Sequence, residues 1–345
     1  MAQESQTAGR RPVQVWLQQN IDAAGRDRLR FIDRRNGADL HVDLPGERYT
    51  PLLEHVLYFD LEERRVRLVN AAGDISDHPF IQLPGATLRV DWLVSADASR
   101  IAWTFTEQGA DGQLRSFTRV ADIRGDDVRD VLVDGPRPER HALPVAFSGD
   151  GATLFMDYRP LLQAGEAQRA GFADLFALTL DEGFTRPLPD EPGCLCGAAF
   201  GVGQMLRLQL AADLDGFELV RRDLGGELRG RIAAPTLPGF TAATHLLLSP
   251  DGSRALYTLS QLRAGDGGVQ AVRSVFVLAD LEGGSSRLLG EPASELLRPV
   301  SWSDGDNTIL LTSGDTLRDG TWKLDMNDGA LLPVARANWL GALAN

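Results

Sequence analysis

Histidine, cysteine and arginine are the residue types in this 345-residue chain with the widest chemical reach, and each occurs in a pattern worth testing. His78, His141 and His245 lie in or just before segments rich in strand-forming residues. If the fold gathered those segments, three imidazoles at roughly 2.0–2.1 Å would hold a divalent metal. Glu139 or Asp91 could then supply a carboxylate. The simpler expectation is that scattered histidines cap strands or bond carbonyls. Cys194 and Cys196 flank one leucine. Two thiolates at that spacing could hold a soft metal or close a strained local disulfide. A structural zinc site needs four ligands, though, and free cysteines are commonly small buried residues. No cofactor is therefore expected, and a divalent metal is the one the histidines leave open. Arg137, Arg140 and Arg298 could grip an anion through their planar guanidiniums.

Other chemistry is excluded by pattern. No G-x-S-x-G elbow, phosphate-binding Gly-rich loop or H-E-x-x-H pair occurs. Acidic turns such as Asp213-Leu-Asp-Gly216 and Asp325-Met-Asn-Asp-Gly329 lack the closing glutamate of a twelve-residue calcium loop. Asp, Asn and Gly are what hairpin turns require, so turn chemistry explains them.

The elements that would position these residues are announced by an internal repeat. Val94-Ser-Ala-Asp-Ala98, Phe147-Ser-Gly-Asp-Gly151, Leu248-Ser-Pro-Asp-Gly252 and Trp302-Ser-Asp-Gly-Asp306 share one layout, with a worn copy at Phe200-Gly-Val-Gly-Gln204. Successive copies begin 53, 53, 48 and 54 residues apart. Each precedes an alternating strand such as Arg254-Ala-Leu-Tyr-Thr-Leu259, and a second hairpin follows. Because Ser249 and its equivalents recur in step with turns, they read as structural rather than nucleophilic. Two hairpins make a four-stranded antiparallel sheet that buries both faces only by stacking on its neighbours, as in a β-propeller.

These segments resemble the WD40-like (PD40) repeats of the TolB type, whose signature is an aromatic-Ser-Pro-Asp-Gly turn before an apolar strand. The resemblance covers residues 87–334 and implies architecture more than function. The expected fold is all-β: a single propeller over 13–345 after a flexible segment 1–12. Six blades are expected, at 13–69, 87–133, 142–188, 197–232, 243–289 and 298–334, with Leu40–Leu44 an insertion. Seven remain open if the N-terminal strands close a split blade with the C-terminus. The tail 335–340 is expected to pack on the N-terminal strands. Phe147, Trp302, Leu248, Val94, Ile101, Trp103, Leu256, Phe276 and Leu310 are the expected core.

In such a fold the loops joining second and third strands share a face with the connections between blades. Three of these loops read as long: Glu107–Arg115, Tyr158–Gly171 and Gln261–Arg273. That face, with Tyr158, Arg140, Arg263, His141 and His245, is the expected binding surface. Composition narrows the partner. The formal charge of −13 repels phosphate backbones, so nucleic acid is not expected. No apolar run approaches the roughly 20 residues needed to span a bilayer. The first residues lack the apolar core of an export signal, so the chain as it stands is expected in the cytoplasm; removal of a signal would place it in the periplasm or outside. With no catalytic constellation in view, the leading expectation is a non-catalytic scaffold that binds a protein partner and is monomeric outside its complex. The alternatives are a metal-dependent propeller enzyme of lactonase, lyase or glycosidase type, and a small-anion sensor.

Overall fold

Alternation of buried and exposed side chains along successive segments dictates strands, and the computed structural model pairs them into four-stranded antiparallel sheets. It describes residues 13–161, 172, 174–189, 197–265, 268–294, 296–303, 307–313 and 320–343, with side chains at 264–271 left aside.

Blade 1 holds β1 (Val13–Gln18), β2 (Asp27–Asp33), β3 (Ala38–Leu44) and β28 (Asn338–Leu343), ordered β28-β1-β2-β3. Blade 2 holds β4 (Gly46–Leu52), β5 (His55–Asp60), β6 (Arg65–Asn70) and β7 (Ile75–Asp77). In blade 3 these are β8 (Thr87–Val94), β9 (Arg100–Gln108), β10 (Leu114–Asp122) and β11 (Arg129–Arg137). Blade 4 has β12 (Arg140–Phe147), β13 (Thr153–Pro160), β14 (Leu175–Thr179) and β15 (Phe184–Pro187). Blade 5 has β16 (Ala198–Gly201), β17 (Gln204–Leu210), β18 (Phe217–Asp223) and β19 (Leu228–Ala233). Blade 6 is built from β20 (Phe240–Leu248), β21 (Arg254–Gly265), β22 (Gly268–Asp280) and β23 (Ser285–Ala293). Blade 7 comprises β24 (Leu297–Ser303), β25 (Thr308–Ser313), β26 (Thr321–Asp325) and β27 (Leu331–Ala335).

The fold is thus a β-propeller of seven four-stranded blades, not the six expected. The N-terminal stretch is two blades rather than one loosened one. Residues 40–44 are not an insertion but part of β3, the last strand of blade 1, whose missing strand is supplied by β28. Val13 pairs with Leu343 and Leu17 with Asn338, so the C-terminal segment joins β1 through a backbone ladder.

The chain forms two compact units. The first contains the described parts of residues 1–84, 315–321 and 333–345. Its core joins Val13, Val15, Leu29 and Phe31 to Val56, Tyr58, Val69 and Leu343. The second contains residues 85–314 and 322–332 and is held by apolar clusters between successive sheets. Leu206, Leu208 and Leu219 of blade 5 meet Tyr257, Val275 and Val277 of blade 6, for example. Within this unit the first strands adjoin one another, β8 beside β12, β16 beside β20 and β20 beside β24.

The repeated turns have one chemistry. Ser95, Ser148 and Ser249 each donate their hydroxyl to the aspartate two residues on, at 2.6 Å. Each hydroxyl also accepts the amide five residues on, at 2.9 Å. These serines are structural, as their spacing predicts. Ile101, Trp103, Leu256 and Phe276 are buried, whereas Val94, Phe147, Leu248, Trp302 and Leu310 are half-buried. Ile309 and Leu311 take the core places around Leu310. Two of the three long loops prove to be hairpin arms. β9 and β10 pair as far as Gln108 and Leu114, and β21 and β22 as far as Gly265 and Gly268. In the third, residues 162–171 lie outside the described part.

Candidate functional site

Two sequence pairs place charge on strands of adjacent blades of the second unit. Residues two apart on a strand share a face, so Arg89-Val-Asp91 on β8 and Asp157-Tyr-Arg159 on β13 each set a guanidinium beside a carboxylate. Arg89 holds Asp91 through two bonds, Nε to Oδ2 at 2.7 Å and Nη2 to Oδ1 at 2.8 Å. Arg159 donates from Nε to Asp157 Oδ2 at 2.7 Å, and the amide of Asp174 donates to the other oxygen at 2.8 Å. Asp157 has no exposed surface, which is tolerable for a carboxylate only because both oxygens are bonded.

His141 stands between these pairs. It is the second residue of β12, opposite Arg159 in the ladder, and its Nε2 lies 3.7 Å from Asp91 Oδ2. The ring is 1% exposed, while the side chains of Asp91 and Arg89 are 13% and 22% exposed. A titratable imidazole, two carboxylates and two guanidiniums are thereby gathered where the first strands adjoin. On the far side Arg159 lies over the Phe172 ring at 4.9 Å, and the buried Arg207 donates to the Phe172 carbonyl at 2.8 Å. Chemically, such a group can move a proton next to a carboxylate-bearing substrate.

The other expected site residues are placed differently. His245 lies in the same unit on a bulge of β20, with φ of 55° and Nδ1 3.0 Å from Thr244 Oγ1. Burial, and then the nearby Arg298 charge, push its pKa down to about 4. Arg298 itself donates to Thr312 Oγ1 at 3.2 Å, and burial lowers its pKa. His78 belongs to the first unit, where its Nδ1 accepts the Ile81 amide at 3.1 Å and its ring meets Phe80 edge-on at 4.4 Å. Burial holds its pKa near 4.

Tyr158 is occupied as well: its hydroxyl donates to Asp134 at 2.9 Å and accepts from Arg137 at 2.9 Å, and its ring lies under that guanidinium. Arg140 is exposed and reaches Asp174 at 3.4 Å; Arg263 is exposed on the β21 arm. Glu139 is exposed, and its carbonyl accepts from Leu161. Cys194 and Cys196 lie outside the described residues. Among the described residues no three of His, Cys, Asp or Glu converge as metal ligands.

Arg89, Asp157, Arg159 and Arg207 were not singled out from sequence. The mirrored Arg-x-Asp and Asp-x-Arg pairs on strands of adjacent blades were the available signal.

No protein-family model matches the chain, and no curated protein matches its sequence. Solved structures do. An oligogalacturonate lyase in complex with manganese aligns at a TM-score of 0.57 and 15% identity, covering 94% of this chain and 85% of its own. A periplasmic gluconolactonase of Pseudomonas aeruginosa aligns at 0.54 and 13% identity, covering 97% and 98%. A puromycin-hydrolyzing peptidase of Mycobacterium tuberculosis reaches 0.60 at 15% identity, with 96% of this chain spanning 52% of that one. At these identities the likeness is one of fold. All three are enzymes by name, and this overturns the expectation of a non-catalytic scaffold. The chain resembles TolB-type propeller repeats in its turns and in its blade architecture.

Proposed function

We propose that the chain is a propeller enzyme of lyase type acting on a carboxylate-bearing sugar, with His141, Asp91, Arg89 and Arg159 as its working group. The observation that carries the proposal is the placement of His141 3.7 Å from Asp91, with a guanidinium bonded to that carboxylate and another opposite His141 in the ladder. The named activity of the similar oligogalacturonate lyase supports the substrate class.

Elimination from a uronate removes the proton on the carbon next to the carboxylate. The electron pair enters the carboxylate system, then forms a carbon–carbon double bond as the β-oxygen leaves and takes a proton from solvent water. The hard step is the first, because charge builds on a group that is already anionic. Guanidiniums offset that charge, and bidentate pairing also fixes the substrate's orientation. Of the two groups beside Asp91, Arg89 is 22% exposed and His141 only 1%. A substrate carboxylate competing for Arg89 would loosen it from Asp91. Asp91 then orients the imidazole, and His141 takes the proton.

Manganese in the similar structure raises the question of a metal here. The described residues do not fit one: both Asp91 oxygens accept from Arg89, and no third ligand joins His141. No step above is routed through a metal.

The test is an ultraviolet assay for the unsaturated product of oligogalacturonides, run with and without added divalent cation. Wild-type turnover is expected, and His141→Gln should lower kcat by about 10²–10⁴-fold. Full activity in that variant, or no product from the wild type under either condition, would sink the reading.

A further inference from the structure

The first unit carries a separate feature of its own. On one face of blade 1, Gln14, Trp16 and Gln18 of β1 stand beside Arg30 of β2, and Arg34 follows just beyond. The opposite faces of these strands supply Val15, Leu17, Leu29 and Phe31 to the core. Together with Ile32, Arg336 and the apolar residues flanking Arg336, this face lines a groove of about 330 Å³. That volume lies at the lower end of small-ligand sites.

The lining is unusual for the inside of a folded unit. Trp16 is 6% exposed, and its indole Nε1–H is buried with no hydrogen-bond partner among the described residues. Its ring is held edge-on against Trp339 at 5.1 Å, so the donor is fixed in place. A buried donor left unpaired costs about 1–3 kcal/mol, which makes each such group in a native fold call for an explanation. Around it, Arg30 is paired with Asp39. Arg34 and Arg336 are exposed and form no ion pair among the described residues, and Gln18 Nε2 donates to the Arg336 carbonyl at 3.2 Å. In a chain of net charge −13, two unneutralised guanidiniums on one small groove are a local reversal of sign.

We propose that this groove binds a small polyhydroxylated carboxylate, a sugar acid of one or two rings. Guanidiniums pair with carboxylates bidentately. Carboxamides both donate and accept, which suits hydroxyl groups, and Trp16 lines the groove between them. The site is distinct from the His141 group and does not depend on the reaction assigned there.

Isothermal titration of the full chain with D-glucuronate, D-glucose and inorganic phosphate tests the proposal. Glucuronate should bind, phosphate and glucose more weakly. Arg34→Gln/Arg336→Gln should weaken glucuronate by about tenfold or more, and Trp16→Phe by a smaller factor. His141→Gln should leave this binding unchanged. Undiminished binding in the double arginine variant would overturn the proposal. So would loss of binding in His141→Gln, which would move the ligand to the other unit. Phosphate binding as tightly as glucuronate would reduce the groove to a charge patch, and absence of any glucuronate heat would remove it. Both arginines are exposed, so their replacement leaves the fold intact, and an unchanged melting temperature verifies this.

Discussion

His78 and His245 share a property that sets a pH response. Burial leads the shift for both, and each is held neutral down to a pKa of about 4, against an ordinary 6.5. In the unfolded chain they protonate near 6.5, so as pH falls from there to about 4 the unfolded state gains protons that the native state refuses. Stability is complete above 6.5 and declines through that window. For His78 there is a second reason: protonation of Nδ1 would evict the Ile81 amide it accepts. Denaturant midpoints measured from pH 7.5 to 4.5 should fall, and His78→Asn should reduce the slope. An unchanged slope would show that His78 takes up its proton in the native state. The turn aspartates behave oppositely. Ser95 and Ser249 are the main causes holding Asp97 and Asp251 near a pKa of 2, so their contribution is present above about pH 4 and disappears only as pH falls toward 2. The two effects therefore separate in pH.

At the scale of the element, the turns and the β-bulges divide the work. Ser-x-Asp turns fix the first hairpins of blades 3, 4 and 6, and bulges interrupt the first strands β4, β8, β12, β20 and β24. A bulge sharpens local twist and re-aims side chains; at β20 it puts His245 into the left-handed region. Glycine requirements separate in the same way. A Cβ on Gly329 would sit 2.3 Å from the Gly290 nitrogen, with φ of 76° besides. Gly329→Ala should therefore destabilise by more than about 1 kcal/mol. Gly149, exposed in its turn, has nothing within 4 Å of such a Cβ. Gly149→Ala should be neutral or stabilise by about 0.4–1 kcal/mol. Equal denaturant midpoints for the two variants would contradict this assignment. The turn chemistry was fully legible in the sequence, because one Ser-x-Asp pattern recurs at nearly constant spacing. The bulges were not. A bulge inserts a residue without changing composition, so the side chains it re-aims cannot be read from alternation alone. The pairing of His141 with Asp91 depends on which strands adjoin, and no local pattern carries that.

For the whole molecule, the blade number hinged on the two ends of the chain. Blade 1 has no Ser-x-Asp turn before β2, and one of its strands lies about 330 positions downstream of its partner. Counting repeats therefore found five blades plainly and merged the first two. What the repeat could not convey was that Leu40–Leu44 is a last strand rather than an insertion. Leu343 belongs to the first unit's core, and Trp339 braces Trp16. Deleting residues 338–343 should expose the whole β1 edge and open that core. Lost cooperative melting and soluble aggregates on size exclusion are the expected result, since an unpaired strand edge templates further pairing. A monomer with an unchanged melting temperature would show that the β28–β1 ladder contributes little.

That ladder also has a meaning in time. The ribosome releases β1 about 320 residues before β28, at roughly 5–20 residues per second. For roughly 15–70 s during synthesis β1 has no ladder on one side, while the sheets of the second unit emerge with all their strands in close succession. Gln14 and Gln18, alternating with Val13, Val15 and Leu17 along β1, then give that nascent edge a partly polar face until β28 emerges to pair with it.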